Sequence, residues 1–443
     1  MIEAFRAPSD PSAIEQGRDH VNGLVEFSRK CARRAFGSAE ARPVESVGIV
    51  GAGRMGAAIA AVCIDHGLRV VVTDVSADAL ACLPGHVAAA LAEGPAGQSA
   101  TGAAKRRGVL EPAADLEAVA RCDLVIETII EQLQAKHALL RDLEPKLDPA
   151  TVLASNTSTI ALRRLGAPLL GPERFCGIHF LRPVPKRPIV EIVRAQRSSS
   201  SAVATAIAFA ERIGKIPVVV NDAPGFVVNR LLLPYAGEAM GLLLEGASIE
   251  AIERAAADFG MAMGPLALLD EVGLDTALTC GVVFASAYPG TIPSAPLLVA
   301  MVKAKLLGRK TGRGFFVYDH ASAGAPTKPN PALQEFIARW AEMSHSHTGE
   351  SIAARLFLPM LLEATRILDE GIVPDPRLVD LAAVLGLGFP ASRGGLLYWA
   401  DQLGAGRVVE MLSSLEPLGK RARPTPLLEA MAKTGARFYR EEA

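Results

Sequence analysis

Ser158, His179, Glu191 and Asn229 bring a hydroxyl, an imidazole, a carboxylate and an amide to the ends of apolar, strand-like runs. The runs are Ser155-Asn156-Thr157-Ser158, Gly177-Ile178-His179-Phe180, Ile189-Val190-Glu191, and Ala223-Pro224-Gly225-Phe226-Val227-Val228-Asn229-Arg230. An imidazole that titrates near neutral pH can take the proton of a secondary alcohol while hydride leaves the same carbon. A carboxylate on its far nitrogen would fix the tautomer and stabilise the imidazolium that forms. Hydroxyl and amide groups can hold the oxygen as it passes between hydroxyl and carbonyl. Taken singly, each residue also has a plain structural role. His179 could be a core residue, Glu191 the outer face of a strand that alternates with Val190 and Ile192, and Asn229 and the Ser-Thr cluster helix caps. It is the ordered set that reads as one site.

Elements able to position such a set begin at Ser46. The apolar run Val47-Gly48-Ile49-Val50 ends in Gly51-Ala52-Gly53-Arg54-Met55-Gly56, the helix-forming Ala57 to Val62 follows, and a second apolar run, Arg69 to Thr73, closes on Asp74. Glycines alone also serve turns. A strand before them, a helix after them and an acid at the end of the next strand together make a dinucleotide fingerprint. Gly51 allows the tight turn, Gly53 lets backbone approach a pyrophosphate, and Gly56 lets the helix lie close to the strand with its N-terminal amides on the phosphates. Asp74 would accept from the ribose hydroxyls and repel a 2′-phosphate, which favours NAD over NADP. The plain alternative is a nucleotide-free doubly wound domain with a glycine turn. Residues 77–121 read as helices with a polar break, in which Lys105-Arg106-Arg107 are a solvated face or a hold on an acidic substrate handle. Strands at 122–127 and 151–155 flank a helix from Glu131 to Leu147. Such alternation implies a mainly parallel sheet with right-handed crossovers. The ligand crevice then lies at the carboxyl ends of the strands, where Gly51, Glu131 and Ser155 to Ser158 all fall.

A chain of 443 residues exceeds one compact core, so two or three domains are expected. Half the residues are hydrophobic and the net charge is −1, which excludes disorder and gives no sign of a nucleic-acid or membrane-surface partner. Six cysteines lie scattered with no C-x-x-C pair, as in a reduced compartment. There is no apolar run of membrane-spanning length, and the start MIEAFRAPSDPS is unlike a signal peptide. These features predict a cytoplasmic protein. His345 and His347 have no acid or cysteine cluster beside them in the sequence, and no metal is assigned.

The runs GIVGAGRMG (48–56), DLVIETIIEQLQAK (123–136), SNTSTI (155–160), GIHFLRPVP (177–185), IVEIV (189–193) and DAPGFVVNRLLLPYAGEA (222–239) resemble the L-3-hydroxyacyl-CoA dehydrogenase family. The resemblance continues through MGPLALLDEVGLD (263–275) and GRKTGRGFFVY (308–318), covering roughly residues 46–320 in one collinear stretch. It implies that His179 is the catalytic base and that Glu191, twelve positions on, is its partner carboxylate. It further implies that Ser158 and Asn229 surround the substrate oxygen, and that Gly51, Gly53, Gly56, Asp74, Glu131, Lys136 and Asn156 contact NAD. The chain departs from the family at Leu181-Arg182, where an asparagine is usual after the His-Phe-Phe run, and at Lys186-Arg187-Pro188, which replaces a more apolar stretch. A guanidinium there could depress the base's pKa or bind an anionic substrate group.

The carboxyl half is helical in period and repeats itself. Arg230, Glu238 and Glu245 return as Arg355, Glu363 and Glu370 at a constant offset of 125 residues, and Gly388-Phe389-Pro390 echoes Gly260-Met261-Ala262. A duplicated helical module explains this. Ala354 stands where a second Asn229 would fall, so the second copy is expected to support rather than catalyse. The tandem arrangement, with GLGFPASRGG (386–395), resembles the dehydrogenase part of multifunctional fatty-acid oxidation enzymes. Single-copy relatives dimerise through this domain, which implies that the second copy imitates a partner subunit.

The expected fold is an α/β Rossmann-type NAD-binding domain followed by two related all-α domains. Its parts are an N-terminal arm (1–45, with an amphipathic helix around 21–30), the NAD-binding domain (46–222), a first helical copy (223–320), a linker (321–350) and a second copy (351–443). The expected function is NAD-dependent, reversible oxidation of an L-3-hydroxyacyl-CoA or related thioester. Alternatives are a dehydrogenase of a free 3-hydroxy acid, which Arg182 would favour, and a catalytically silent NAD-binding or scaffolding subunit. No hydratase-like run precedes the glycine fingerprint, so a free-standing, monomeric enzyme is expected, with a complex with a separate hydratase as the other possibility.

Overall fold

The computed structural model describes residues 2–36, 39–94, 108–319, 326–341 and 345–439. The expectation for Lys105-Arg106-Arg107 falls outside them. The chain divides into two compact units, Val25–Phe226 and Met1–Leu24 with Val227–Ala443.

The first unit carries an eight-stranded sheet in the order β3-β2-β1-β4-β5-β6-β7-β8. The strands are β1 (Ser46–Val50), β2 (Arg69–Thr73), β3 (Leu110–Ala113), β4 (Leu124–Glu127), β5 (Val152–Ser155), β6 (Phe175–Phe180), β7 (Ile189–Arg194) and β8 (Ile216–Asn221). Every neighbouring pair is parallel except β6 and β7, which run antiparallel. Helices between the strands cover the sheet, so β4, β5 and β6 are buried along their whole length and are mostly apolar, with Glu127, Ser155 and His179 at or near their carboxyl ends. On one face, Ile59 and Cys63 of the helix Arg54–Asp65 and Val203 and Phe209 of the helix Ser200–Arg212 share a core with Ile49, Val72, Ile126, Ile178 and Ile192. Strand side chains alternate, so His179 and Glu191 point to the opposite face from Ile178 and Ile192. Strand β3 replaces part of the helix expected over 77–121. It is a sheet edge of four residues containing Pro112, a place where a proline is tolerated and where no period is long enough to see.

The second unit is helical, and its two repeats interlock. The helices Val228–Leu244 and Gly349–Asp369 are buried nearly all round. Arg230 reaches Glu363 at 2.6 Å and Glu370 at 2.6 Å. In return Arg355 reaches Glu238 at 2.7 Å and Glu245 at 2.9 Å. Each copy thus supplies the guanidinium for the other's carboxylates, and the two helices run past each other in opposite directions. The duplication extends beyond the residues that revealed it. Asp270 accepts from the amides of Phe315 and Phe316, and Asp401 does the same for Phe438 and Tyr439. Gly273 and Gly404, both at positive φ, start the equivalent helices Leu274–Ala287 and Ala405–Ser413.

Three boundaries differ from the sequence reading. The two helical copies share one compact unit, because their central helices bury each other's charges. The stretch 321–350, expected as a linker, carries a strand at Pro326–Pro329 paired antiparallel with Phe316–Tyr318, and a helix at Leu333–Trp340. Asn330, whose side chain donates to the Gly314 carbonyl at 2.9 Å, and buried Leu333 tie it down. The arm helix is longer than expected, Pro11–Phe36, with its residues to Leu24 grouped in the helical unit and those from Val25 in the sheet unit. Among the described residues no helix is long and apolar enough to cross a membrane.

Candidate active site

The antiparallel register of β6 and β7 sets His179 directly opposite Glu191. The imidazole Nδ1 lies 2.6 Å from the carboxylate Oε2, and both side chains are buried. Glu191 is therefore not an outward-facing strand residue. In the arrangement where the carboxylate accepts, Nδ1 is the donor and Nε2 is the ring nitrogen left for a substrate. Phe226 contacts the imidazole with its ring centroid 5.5 Å away. Phe226 has φ of 49°, a costly conformation for a bulky residue. The sequence reading passed over it, although it follows Gly225 in the motif that ends at Asn229.

A polar scaffold holds the turn that follows β5. The Asn156 Oδ1 accepts the Phe180 amide at 2.8 Å, which braces β6 one residue beyond His179. Glu131 gathers the next three residues. Its Oε1 accepts from the Thr157 hydroxyl at 2.5 Å, the Ser158 amide at 2.9 Å and the Thr159 amide at 3.1 Å. Lys136 lies behind, 1% exposed, with its Nζ 2.6 Å from Glu127 and 3.3 Å from Glu131. The Ser155 hydroxyl donates to the other oxygen of Glu127 at 2.6 Å. Burial works against the charge on Glu131, but the Lys136 ammonium and the bonds from Thr157, Thr159 and Ser158 hold its carboxyl below the usual range. Glu131 and Lys136, expected as NAD contacts, thus have their charges turned to each other and to the 157–159 turn. Glu127 was missed. Its signal was an acid closing an otherwise apolar run, nine residues before a lysine.

The glycine turn has the shape expected of it. Gly51 has φ of 114°, and a Cβ on Gly56 would meet the Gly51 carbonyl at 1.9 Å, so the helix start lies against the turn. A Cβ on Gly53 would meet nothing within 4 Å, which leaves the backbone open where a phosphate would approach. Asp74 Oδ2 accepts the Ala52 amide at 2.7 Å and Oδ1 the Ser76 amide at 2.8 Å, tying the end of β2 to the turn. The open backbone at Gly53 fits the close approach of a dinucleotide's phosphates.

The structure brings Ser158, His179, Glu191, Asn156, Glu131, Lys136, Asp74 and the glycines into one unit. Asn229 belongs to the helical unit, half-buried on the first turn of the helix Val228–Leu244. Arg182 follows β6, half-buried, and its carbonyl accepts from Arg187 Nε at 3.1 Å. Among the described residues no group of three or more His, Cys, Asp or Glu side chains is arranged to hold a metal ion.

Comparison with known proteins places this geometry. The family model described as 3-hydroxyacyl-CoA dehydrogenase, NAD binding domain matches residues 46–223. The model described as 3-hydroxyacyl-CoA dehydrogenase, C-terminal domain matches twice, at 225–318 and 352–440. The chain is similar to the crystal structure of 3-hydroxybutyryl-CoA dehydrogenase from Escherichia coli, with 27% identity and a TM-score of 0.73 over 89% of this chain and 99% of that one. It is also similar to the dehydrogenase part of multifunctional enzyme 1 from C. elegans, at 27% identity, TM-score 0.61, and 88% and 90% coverage. A third likeness is to (S)-3-hydroxybutyryl-CoA dehydrogenase from Ralstonia eutropha, at 36% identity, TM-score 0.57, and 62% and 100% coverage.

Proposed function

The chain belongs to the 3-hydroxyacyl-CoA dehydrogenase family and oxidises a 3-hydroxyacyl-CoA with NAD; on that premise we propose that His179 and Glu191 act as its acid–base pair. The observation that carries the assignment is the 2.6 Å contact between Nδ1 and Oε2 in a buried cross-strand pair. With Nδ1 committed to Glu191, Nε2 takes the hydroxyl proton of the substrate as the C3–H bond breaks and the carbonyl forms. Glu191 stabilises the imidazolium, and in the reverse direction Nε2 returns the proton. NAD, when bound, supplies the hydride acceptor. The Ser158 hydroxyl is positioned by the turn that Glu131 holds, and it steadies the substrate oxygen. For Asn229 the same role rests on the sequence resemblance. Asp74 takes the ribose hydroxyls, and Asn156 acts through its hold on β6.

We also infer a cytosolic setting, supported by the scattered cysteines, and a monomer in which the second helical copy stands in for a partner subunit, supported by the reciprocal Arg–Glu pairs.

The test is to supply pure protein with NAD and a panel of 3-hydroxyacyl-CoAs, free 3-hydroxy acids and carrier-protein thioesters, and to follow NADH. Turnover of the CoA thioesters by the wild type, abolished in His179→Gln with NAD affinity kept, is the expected result. Turnover confined to the free acids would overturn the thioester reading. An active His179→Gln would remove the base from that residue.

A further inference from the structure

The helical unit contains an open cleft of about 600 Å³ that the acid–base chemistry does not use. Its size is that of a small-molecule site. One wall is the helix Val228–Leu244, through Leu233, Ala236, Gly237, Met240 and Leu244. The facing wall is the helix Leu274–Ala287, where Ala277, Gly281 and Ala285 are all small. Trp340, 42% exposed, and Val299 stand at the cleft as well. Among the described residues no charged side chain lines it, and Ser294 supplies the one hydroxyl.

Two features say what such a cleft would take. First, small residues on the facing helix create the space; a Cβ at Gly281 would meet nothing within 4 Å. Second, helical periodicity puts Asn229 on the same stripe as Leu233, Ala236, Met240 and Leu244. Asn229 precedes Leu233 by one turn, about 6 Å, and the apolar wall from Leu233 to Leu244 then runs for about 16 Å. A ligand whose oxygen is held at Asn229 would lay its continuing hydrocarbon along that wall. A four-carbon acyl group would end before the cleft, and a longer one would enter it.

We propose that this cleft is the acyl-chain subsite, selecting 3-hydroxyacyl-CoAs with long unbranched hydrocarbon chains over short ones. The proposal rests on the reading of Asn229 as a contact of the substrate oxygen. Gly281 is then the position that keeps the subsite open.

Gly281→Leu tests this. The position lies inside a helix, where leucine is a better residue than glycine, and the new side chain points into empty space. Steady-state kinetics with 3-hydroxybutyryl-CoA and 3-hydroxyhexadecanoyl-CoA are compared in the wild type and the variant. KM for the long substrate should rise by about tenfold or more, since each methylene shut out costs about fourfold in affinity. KM and kcat for the short substrate should stay unchanged. Equal effects on both substrates, or none, would overturn the proposal. Tryptophan emission, in which buried Trp399 is a constant background to Trp340, gives a readout independent of turnover. Hexadecanoyl-CoA should shift it to the blue in the wild type and leave it unmoved in Gly281→Leu. If no acyl-CoA is turned over by the wild type, the dehydrogenase reading fails; the subsite then stands if this shift is seen and lost in the variant, and falls if it is absent. Light scattering that finds a wild-type dimer and a Gly281→Leu monomer would make the cleft a subunit seam and reject the proposal.

Discussion

Glu191 lies directly across the β6–β7 pair from His179, and its Oε2 is 2.6 Å from Nδ1. The two strands, not a loop, hold the pair, so its geometry is as rigid as the sheet. Glu191→Gln keeps the shape and removes the acceptor-only character that fixes the tautomer. The expected outcome is a kcat lower by roughly 10²–10⁴-fold, with NAD affinity unchanged in a binding titration. A kcat within a few-fold of wild type would detach Glu191 from the chemistry.

Asp74 bonds the Ala52 and Ser76 amides at the end of β2, and the proposed NAD site makes it the acceptor of the ribose hydroxyls. Removing a charged acceptor forfeits about 1.5–3 kcal/mol, so Asp74→Ala should weaken NAD by about 10- to 100-fold. NADP should lose less, because the 2′-phosphate is no longer repelled. An unchanged ratio of the two dissociation constants would reject the assignment.

Lys136 is the one cation between Glu127 and Glu131 in the described network. Lys136→Met would leave buried Glu127 and half-buried Glu131 without their shared cation. A loss of about 3–5 kcal/mol is expected in urea unfolding of the sheet unit, together with a lower kcat from the slackened 157–159 turn. A loss under about 1 kcal/mol would mean that the two acids find other partners.

Arg230 is fully buried between Glu363 and Glu370 of the other repeat. Arg230→Met should cost about 3–5 kcal/mol by removing the buried partner of Glu363 Oε1 and leaving that acid with Arg366 alone, 3.0 Å from its other oxygen. Pairing it with Glu363→Gln should return part of that loss, a coupling that a double-mutant cycle reads directly. Strict additivity would show that the two residues do not interact.

Burial pushes the carboxyls of Glu253 up to about 7, Asp270 to about 6 and Asp380 to about 7. Each is raised above its unfolded value, so each contributes stability that is fully present below about pH 4 and is lost as pH rises through about 6–7. His20, lowered by burial and Arg377 to about 4, acts in the opposite sense below about 6.5. Between about pH 6.5 and 8 the acids alone remain, and the urea midpoint of the helical unit should fall. A midpoint that climbs over that interval would show these acids to be ionised in the fold.

Much of the candidate site's local geometry was legible in the chain itself. Gly51, Gly53, Gly56 and Asp74 are read locally, because the turn, the helix start and the end of the next strand are each set by residues a few positions apart. The repeat was legible for the same reason, since Arg230 and Arg355 carry identical spacings to their glutamates. Tertiary structure decided what depends on register and depth. Only the antiparallel pairing of β6 with β7 turns twelve residues of separation into a 2.6 Å contact, and a slip of one residue would have sent Glu191 to the other face. Only burial shows that Glu131 and Lys136 spend their charges on each other, on Glu127 and on the turn at Thr157. Likewise, the exchange of partners between Arg230 and Arg355 exists only once the two helices are packed, because ion pairs between distant residues follow from proximity, which sequence spacing does not encode.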